Sequence, residues 1–435
     1  MTNTSTIPVK FPVLARVEGE GALEFSIVDE QIQDLKLRIF EPPRYFETFL
    51  QGRHFDEVPD IVARICGICP VAYQMSAVQA LESILAPDMP DDFRLWLHNM
   101  RHVLYCGEWI QSHALHIHLL AAPDLFGFNS AITMAKKYPD IVRRGVSLQA
   151  LGNELIALFG GRSVHPVGVK VGGFHKAPGK KQVTHMLSRL ESLKQDAYEL
   201  VLWLDTLDLP HSEQDFTSVA LQHEQQYAIY QGRIVSDQGL KINARDYKQH
   251  FKEFQQPQST AFHSHLDDQP YLLGPLARLN LNSKDLHSDV RALMDQLSTT
   301  FPSKNMFHSI TARGIEIYSC ILKAIELLSD YAAPAQPWHP LTVQSGSGYG
   351  CSEAPRGLLW HYYKLDDTGH IIEADIIPPT SQNQARIEED LRLSLQEYGL
   401  HHSNTELRQY GEMVIRNYDP CISCATHFLK LKING

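Results

Sequence analysis

Two C-x-x-C pairs near opposite ends of the chain constrain its fold more than any other feature of the sequence. Cys66 and Cys69 stand in RICGICP, and Cys421 and Cys424 stand in DPCISCATH. Two intervening residues let the chain turn back, so that both thiolates of a pair reach one ion. A single pair would equally suit a buried or redox-active dithiol. Two pairs favour one tetrathiolate metal site, and that site requires a fold that brings the chain ends together.

The cysteines alone leave the metal open, because soft thiolates bind zinc, iron–sulfur clusters and nickel. Zinc ribbons place their second pair roughly 15–20 residues after the first, whereas nearly the whole chain separates these two pairs. Closing so long a loop is costly for a merely structural zinc site. A structural zinc protein nevertheless remains an alternative at this point. The odd total of 7 cysteines argues against a disulfide scaffold and favours a reducing compartment.

Composition limits the class of protein. The chain has 435 residues, 43% of them hydrophobic, which is enough for a sizeable core and, by length, for two or three domains or for one large domain. Its formal net charge of -11 has the wrong sign for a protein whose main task is to neutralise phosphates. No stretch approaches 18 apolar residues, and the N-terminus lacks the pattern of a secretory signal. We therefore expect no nucleic-acid partner and no membrane span in this chain.

Hydrophobic periodicity predicts a mainly helical protein with small β elements. Apolar and polar residues alternate on both sides of Asp29-Glu30, so residues 22–40 are expected to form an antiparallel hairpin. Helical spacing follows Pro139 and recurs over 183–200 and 318–328, where apolar stripes indicate packing between helices.

Three later segments are read from turn and capping signals. Residues 227–242 carry glycine turn signals and are expected to form a short hairpin or small sheet. Residues 253–285 lack clean periodicity and are interpreted as a long surface loop. Ser403 and Glu406 form a capping box, which predicts a short helix before the second cysteine pair, and the pair itself then lies in a turn.

The residues around the cysteines identify a family. RICGICP and DPCISCATH resemble the two signature motifs of the large subunit of nickel–iron hydrogenases. Five further segments resemble family segments in family order, namely RVEGEG, PRYFETFLQGRHFDEVP, GRSVHPVGVKVGG, EAPRG and IIPPTSQN. The resemblance covers essentially the full chain. It implies the α+β, mainly helical large-subunit fold, with a central bundle of long helices and small peripheral hairpins and sheets.

The resemblance also implies a metal centre. Nickel would be held by all four cysteines, Cys66, Cys69, Cys421 and Cys424. Cys69 and Cys424 would bridge to an iron that carries carbon monoxide and cyanide. Arg356 matches the arginine that overhangs this iron, where it can contact cyanide. Thr380 matches a hydroxyl donor to the other cyanide. Dedicated maturation factors are implied, because protein side chains cannot supply the diatomic ligands.

Heterolytic cleavage of dihydrogen releases a proton that needs a base and a route out. The resemblance implies that Cys421 or Arg356 is the first acceptor of this proton. Glu18 matches the glutamate that passes the proton onward. Glu47 and His427 match the ligands of a buried magnesium-type ion, and a carboxylate suits a hard cation.

Two more positions complete the comparison with the family. His165 matches a histidine near the cluster-facing side of the family fold, where it is expected at the partner interface, although it could equally be a hydrogen-bonded core histidine. Tyr73 departs from the family, because many members have a histidine there. The local hydrogen bonding around the first motif is therefore expected to differ.

Electrons need a route beyond this chain. Cys106, Cys320 and Cys351 are too few for an all-cysteine four-iron cluster, and no G-x-G-x-x-G dinucleotide motif is present. The family implies an iron–sulfur small subunit. The segments 70–77 and 417–432 look most like the cytoplasmic, NAD(P)-linked bidirectional subgroup, also called sulfhydrogenases. That subgroup implies further partner subunits that carry flavin, NAD(P) and iron–sulfur clusters.

We expect one large-subunit unit over residues 1–435. Its approximate parts are an N-terminal β-containing segment (1–65), a helical core (66–335) with a β insertion near 217–243 and the loop 253–285, and a C-terminal α/β segment (336–435).

A maturation chaperone and an endopeptidase are implied as further partners. The endopeptidase is expected to cut after His427 and to remove residues 428–435. Within the same ancestry, the rival is a quinone-site subunit like that of respiratory complex I, which lacks the four cysteines. The rival from another class is the zinc-tetrathiolate scaffold.

Overall fold

The computed structural model describes residues 7–11 and 13–426. Helices dominate this part of the chain, as the sequence predicts. The α-helices are α1 (Phe46–Leu50), α2 (Val58–Val62), α3 (Pro70–Leu85), α4 (Asp91–Leu115), α5 (Ala122–Leu125), α6 (Ala131–Ala135), α7 (Pro139–Gly160), α8 (Lys180–Asp205), α9 (Tyr247–His250), α10 (Pro275–Asn282), α11 (Ser288–Met294), α12 (Ser309–Ser329), α13 (Pro379–Tyr398), α14 (Asn404–Tyr418) and α15 (Ile422–Ala425). A π-helical turn, His116–Ala121, connects α4 to α5.

The long helices α4, α7, α8 and α12 pack into a central bundle, and three of them contain the segments for which the sequence predicts helix. Two glycines let α4 and α7 approach closely. A Cβ on Gly107 would lie 2.9 Å from the carbonyl oxygen of Gly152, and a Cβ on Gly152 would lie 2.5 Å from the backbone nitrogen of Gln111. Larger residues would separate the two helices, so this contact requires glycine at both positions.

The strands form small sheets around the bundle. They are β1 (Ile7–Phe11), β2 (Gly21–Val28), β3 (Gln31–Ile39), β4 (Val169–Lys170), β5 (Gly173–Phe174), β6 (Thr217–Gln222), β7 (Arg233–Ser236), β8 (Lys241–Ile242), β9 (Phe251–Gln255), β10 (Phe262–Leu266), β11 (Tyr271–Leu272), β12 (Gly346–Ala354), β13 (Gly357–Leu365) and β14 (Ile371–Ile377). Their orders are β1-β2-β3, β4-β5, β11-β6-β7-β8, β10-β9 and β12-β13-β14. The predicted hairpin over 22–40 is confirmed, because β2 and β3 pair antiparallel.

The predicted short hairpin within 227–242 is confirmed, because β7 and β8 pair antiparallel, and residues 227–230 precede it outside any strand. One prediction about local structure needs correction. The segment 253–285 is not a long loop: it contains the end of β9, β10, β11 and α10. This error has a physical reason. Buried polar residues such as His263 and Arg278 interrupt the apolar pattern of β10 and α10, so neither element shows clean periodicity.

The meander β12-β13-β14 brings the C-terminal part of the chain against the N-terminal helices. Strand β12 packs on α3 at very short range, because Cβ atoms on Gly348 and Gly350 would collide with the carbonyl oxygens of Ala80 and Ser76. Ala354 pairs with Gly357, so Pro355 and Arg356 form the tight turn between β12 and β13. This turn ends close to the start of α3.

Three apolar clusters support this arrangement. The largest lies in the helical bundle and includes all four cysteines of the two C-x-x-C pairs. A second packs β2 and β3 against α13 and α14, and a third lies between the β6 and β12 sheets. Within the described residues, no helix is both long and apolar enough to cross a lipid bilayer. The proposed subdivision into parts remains a prediction.

Candidate metal centre

The fold brings the two cysteine pairs together. Among the described residues, Cys66, Cys69, Cys421 and Cys424 are the one group of three or more metal-ligating side chains whose ligand atoms converge, and their sulfurs all lie within 4.8 Å of one another. The Sγ atoms of Cys66 and Cys421 are 3.4 Å apart, and those of Cys69 and Cys424 are 3.6 Å apart. All four side chains are buried and none forms a disulfide. The predicted convergence of the chain ends is confirmed.

The first pair is shaped by the start of α3. Cys69 precedes Pro70, which occupies the first helical position, where a missing N–H costs nothing. The backbone N–H groups of Ile68 and Cys69 donate to the Cys66 sulfur over 3.3 and 3.5 Å. These donors, together with the helix N-terminus, favour negative charge at this turn.

Glu108 holds the first turn from behind. This residue of α4 is fully buried, and its carboxylate accepts the N–H groups of Val71 (2.6 Å) and Ala72 (3.0 Å). These N–H groups belong to the first turn of α3 and have no partner within the helix. Burial raises the pKa of Glu108 well above its usual value, although the two N–H donors act in the opposite direction. Glu108 therefore fixes the helix that begins at Cys69.

The second pair is held by segments that lie far away in sequence. Asp419 has a left-handed backbone conformation, with φ 55°, and it turns the chain at the end of α14. The N–H of Cys421 donates to the Thr380 hydroxyl over 3.0 Å. The N–H groups of Ile422 and Ser423 donate to the backbone oxygen and to Oε2 of Glu18, each over 3.0 Å. Thr380 and Glu18 thus support the backbone of this pair.

Glu18 also contacts a sulfur directly. Its Oε2 lies 3.2 Å from the Sγ of Cys421, which is the distance of a hydrogen bond involving sulfur. The structure thus places Glu18 beside the cysteines, while its role in passing a proton onward stays a prediction. The hydroxyl of Ser423 donates over 2.6 Å to Glu41, so a second carboxylate stands on the outer side of this turn.

Arg356 is clamped beside the cluster. Its Nε donates to the backbone oxygen of Asp419 (2.6 Å), and its Nη2 donates to Oδ1 of the same residue (3.0 Å). Its Nη1 lies 3.5 Å from the hydroxyl of Ser112. The guanidinium is buried. Burial lowers the pKa of Arg356, but the negative charges of Asp419 and of the cysteine sulfurs outweigh that effect and raise it.

The sulfurs have the chemistry of a cation site. Hydrogen bonds from the other three cysteines lower the pKa of Cys66, whereas burial and the crowding of neighbouring sulfurs raise the pKa of Cys421. Four buried thiolates would repel one another, and the buried guanidinium of Arg356 lies beside them as a positive charge. A soft divalent cation would remove this conflict, so the donor set fits nickel, as the sequence suggests.

Of the remaining residues singled out in the sequence, the structure describes Tyr73 and Glu47. Tyr73 is buried, and its pKa is raised by burial and by the nearby sulfurs of Cys424 and Cys69, so it faces the cluster. Glu47 accepts the N–H of Ile376 over 2.7 Å. His427 and the tail 428–435 lie outside the described residues.

His165 lies at the protein surface and not in the cluster. It has a left-handed backbone conformation, and its Nδ1 lies 2.6 Å from the carbonyl oxygen of Ala63. Val164 and Val167 beside it are exposed, at 52% and 41%. A half-buried histidine between exposed apolar side chains is consistent with the predicted partner interface.

Sequence reasoning missed two residues that shape the site. Asp419 stands directly before Pro420 and Cys421, so its place in the motif DPC was a usable signal. Glu108 offered none, because a lone glutamate in a helical stretch resembles a solvent-facing residue.

Comparison with known proteins gives the same result as the geometry. The sequence matches the model of the family described as nickel-dependent hydrogenase over residues 44–147 and 206–427. The chain is 32% identical to sulfhydrogenase 1 subunit alpha of Pyrococcus furiosus, over 98% of this chain and 99% of that protein. It is 28% identical to the NAD-reducing hydrogenase HoxS subunit beta of Cupriavidus necator, over 96% of this chain and 94% of that protein.

A solved hydrogenase structure has the same fold as this chain. A crystal structure of an NAD+-reducing [NiFe]-hydrogenase in its H2-reduced state superimposes with a TM-score of 0.86 at 28% identity, over 98% of this chain and 100% of that one. A complex I-like subunit would lack the cysteines that converge here, and a zinc scaffold would not require the full-length match. The chain therefore belongs to the nickel-dependent hydrogenase family, as a large subunit.

Proposed function

We propose that this chain is the catalytic subunit of a nickel–iron hydrogenase that interconverts dihydrogen with protons and electrons. The observation that carries the proposal is the convergence of four buried sulfurs beside a carboxylate and a clamped guanidinium. The four cysteines would hold nickel, and Cys69 and Cys424 would also hold iron. Arg356 and Thr380 would face the cyanide ligands of that iron. When bound, this centre supplies the heterolytic cleavage of dihydrogen.

The contacts of the chain favour one proton route. Arg356 uses its Nε and Nη2 to hold Asp419, and Glu18 is in contact with Cys421. Cys421 is therefore the better first acceptor of the proton. It passes the proton over 3.2 Å to the carboxylate of Glu18, which is half-buried, whereas Cys421 is fully buried.

The remaining cofactors and partners follow from the same membership. Glu47 and His427 would bind a magnesium-type ion. Because the described residues contain no second converging ligand group, electrons would leave through an iron–sulfur small subunit. The surface at Val164, His165 and Val167 would take part in that interface. The similarity to sulfhydrogenase alpha and HoxS beta supports NAD(P)-linked flavin and iron–sulfur partner subunits and a cytoplasmic location.

Maturation would finish at the second cysteine pair. A chaperone and an endopeptidase would act there, and the endopeptidase would remove 428–435 after the metal is loaded. We expect a retained tail to hinder closure of the pair Cys421 and Cys424. Full nickel occupancy and activity with the tail attached would refute this step.

Purification of the native complex tests the proposed function. Hydrogen-dependent reduction of NAD+ or NADP+ is expected, together with infrared bands of carbon monoxide and cyanide. A mature protein that contains zinc without nickel and lacks those bands would contradict the proposal in favour of a scaffold. Reduction of an artificial dye without reduction of either nicotinamide would contradict only the NAD(P)-linked assignment.

A further inference from the structure

One buried charged side chain that the proposed mechanism does not use is fully hydrogen-bonded. Arg278 lies in α10 and is fully buried. Its Nε and Nη2 donate to the two carboxylate oxygens of Glu316, each over 2.7 Å. Its Nη1 donates to Glu353 over 3.1 Å. Two N–H groups of the five in a guanidinium remain for other acceptors.

Those two N–H groups hold the backbone just before Arg356. Nη1 of Arg278 donates to the carbonyl oxygen of Ala354, and Nη2 donates to that of Pro355, each over 3.0 Å. All five donors of Arg278 are thereby satisfied, and its Cζ lies 4.1 Å from the ring centroid of Trp109. We propose that Arg278 is a positioning residue for the hydrogenase reaction, because it fixes the turn that presents Arg356 to the metal centre. This inference rests on the proposed function.

Close backbone packing supports the same turn. Gly274, at the start of α10, and Gly357, after the turn, both have left-handed φ angles, 106° and 130°. A Cβ on Gly357 would lie 2.5 Å from the Cβ of Leu273, and a Cβ on Gly274 would lie 3.0 Å from the carbonyl oxygen of Arg356. The N-terminal end of α10 is thus pressed against the turn, and Arg278 ties the two together one helical turn later.

Glu316, the carboxylate that binds Arg278, is itself held by two further side chains. His113 is neutral because burial lowers its pKa to about 4, and its Nε2–H donates to Glu316 over 2.8 Å. The hydroxyl of Tyr227 donates to the other oxygen of Glu316 over 2.7 Å. Burial raises the pKa of Glu316, but Arg278 outweighs that effect and brings it to about 2. The carboxylate is therefore ionised and fixed.

Only the fork of an arginine can perform this task. A lysine at position 278 would keep the positive charge and one bond to Glu316, but its single nitrogen cannot also reach two carbonyls and a second carboxylate. Arg278→Lys therefore separates the role of the charge from the placement of the turn.

Arg101 offers a matched control. It is a buried arginine that donates to both oxygens of Glu82, over 2.7 and 2.6 Å, and to the carbonyl oxygen of Lys170 over 3.3 Å. Its chemistry is the same, but it holds β4 and not the turn of Arg356. Arg101→Lys should report the general cost of replacing a buried arginine.

The test uses the complete metal-loaded complex. In Arg278→Lys, kcat for hydrogen oxidation is expected to fall by roughly 10–100-fold at unchanged KM, since small misplacements near a reacting centre cost that much. Amide hydrogen–deuterium exchange over 350–360, read by mass spectrometry, should rise. Arg101→Lys should change neither. Tyr227→Phe, a milder change should the lysine variant fold poorly, is expected to show the same two effects, each smaller.

A double-mutant cycle decides whether Arg278 acts through Arg356. Arg278→Lys in an Arg356→Lys background should cost no further activity, because the turn would have nothing left to present. The inference would be overturned if the activity losses of the two single variants multiplied in the double variant. It would also be overturned if Arg278→Lys had normal amide exchange and a normal kcat. Full activity of Arg356→Lys would overturn the proposed role of Arg356 and this inference together. An inactive Arg356→Lys beside a fully active Arg278→Lys would overturn only the inference.

Discussion

The two cysteine turns have the same C-x-x-C spacing but are supported in different ways. The first turn opens α3, a helix of 16 residues inside the main apolar cluster, and one carboxylate from α4 secures it. The second turn lies in α15, a helix of 4 residues, and depends on Glu18, Thr380 and Asp419. The helical bundle therefore positions the first half of the site. The second half is assembled from segments distant in sequence, and we expect it to be the more sensitive half to side-chain changes.

The largest effect is expected from Asp419→Asn, at the second turn. This change leaves Arg356 and Arg313 buried without their carboxylate partner, and breaking such a pair costs about 3–5 kcal/mol. We expect lower nickel content, a lower Tm and a loss of activity. Metal analysis and thermal unfolding of the complex would measure these changes.

Glu82→Gln is the matched control, because Glu82 is the partner of the buried Arg101 and lies at the opposite end of α3 from Cys69. It should lower Tm and leave the nickel content unchanged. Equal loss of nickel from both variants would mean that the second turn is not specially sensitive.

A smaller effect is expected from Glu108→Gln, at the first turn. Glutamine keeps one acceptor for the N–H groups of Val71 and Ala72 but places an NH2 donor where the second oxygen accepts, at a cost of about 1–3 kcal/mol. Tm should fall while nickel is retained, because the bundle still shapes α3. If Glu108→Gln loses more nickel than Asp419→Asn, the order of the two halves is reversed.

Thr380→Val should have a still smaller effect on stability. The Cys421 N–H loses its acceptor, and an unsatisfied N–H of this kind costs about 1–2 kcal/mol. Thr380→Ser keeps the hydroxyl and should restore Tm. A valine variant with the Tm of the wild-type complex would mean that the hydroxyl does not support the second turn.

The smallest effect is a pH slope in the strand that supports Arg356. Burial raises the pKa of Glu353 from 4.5 to about 7, against the pull of Arg278 and the N–H of Leu221, and the charge of Glu316 adds to the rise. A carboxyl whose folded pKa is raised stabilises the fold below its ordinary pKa, and that contribution is lost as pH rises through 7. The Tm of Glu353→Gln relative to wild type should therefore increase between pH 5 and pH 8. A pH-independent difference would contradict this assignment.

The sequence correctly predicts the elements in which apolar and polar residues follow one regular period. The amphipathic stripes of α7, α8 and α12 and the capping box of Ser403 and Glu406 reappear as expected, and the motifs identify the cysteines. The supporting charges could not be predicted. Glu108 and Arg278 sit on helices where a charged side chain ordinarily faces water, and only the folded contacts reveal that both are buried and bonded. Arg278 is also the reason that the sequence does not predict α10, because a buried arginine breaks the apolar period of a short helix.

The nickel content of the purified complex after single cysteine-to-serine replacements tests the central claim most directly. One nickel per chain is expected in the wild type and in Cys351→Ser, since Cys351 is buried outside the cluster. Loss of nickel is expected when any one of the four clustered cysteines is replaced. Nickel retained after the loss of either C-x-x-C pair would contradict a single site built from both ends of the chain.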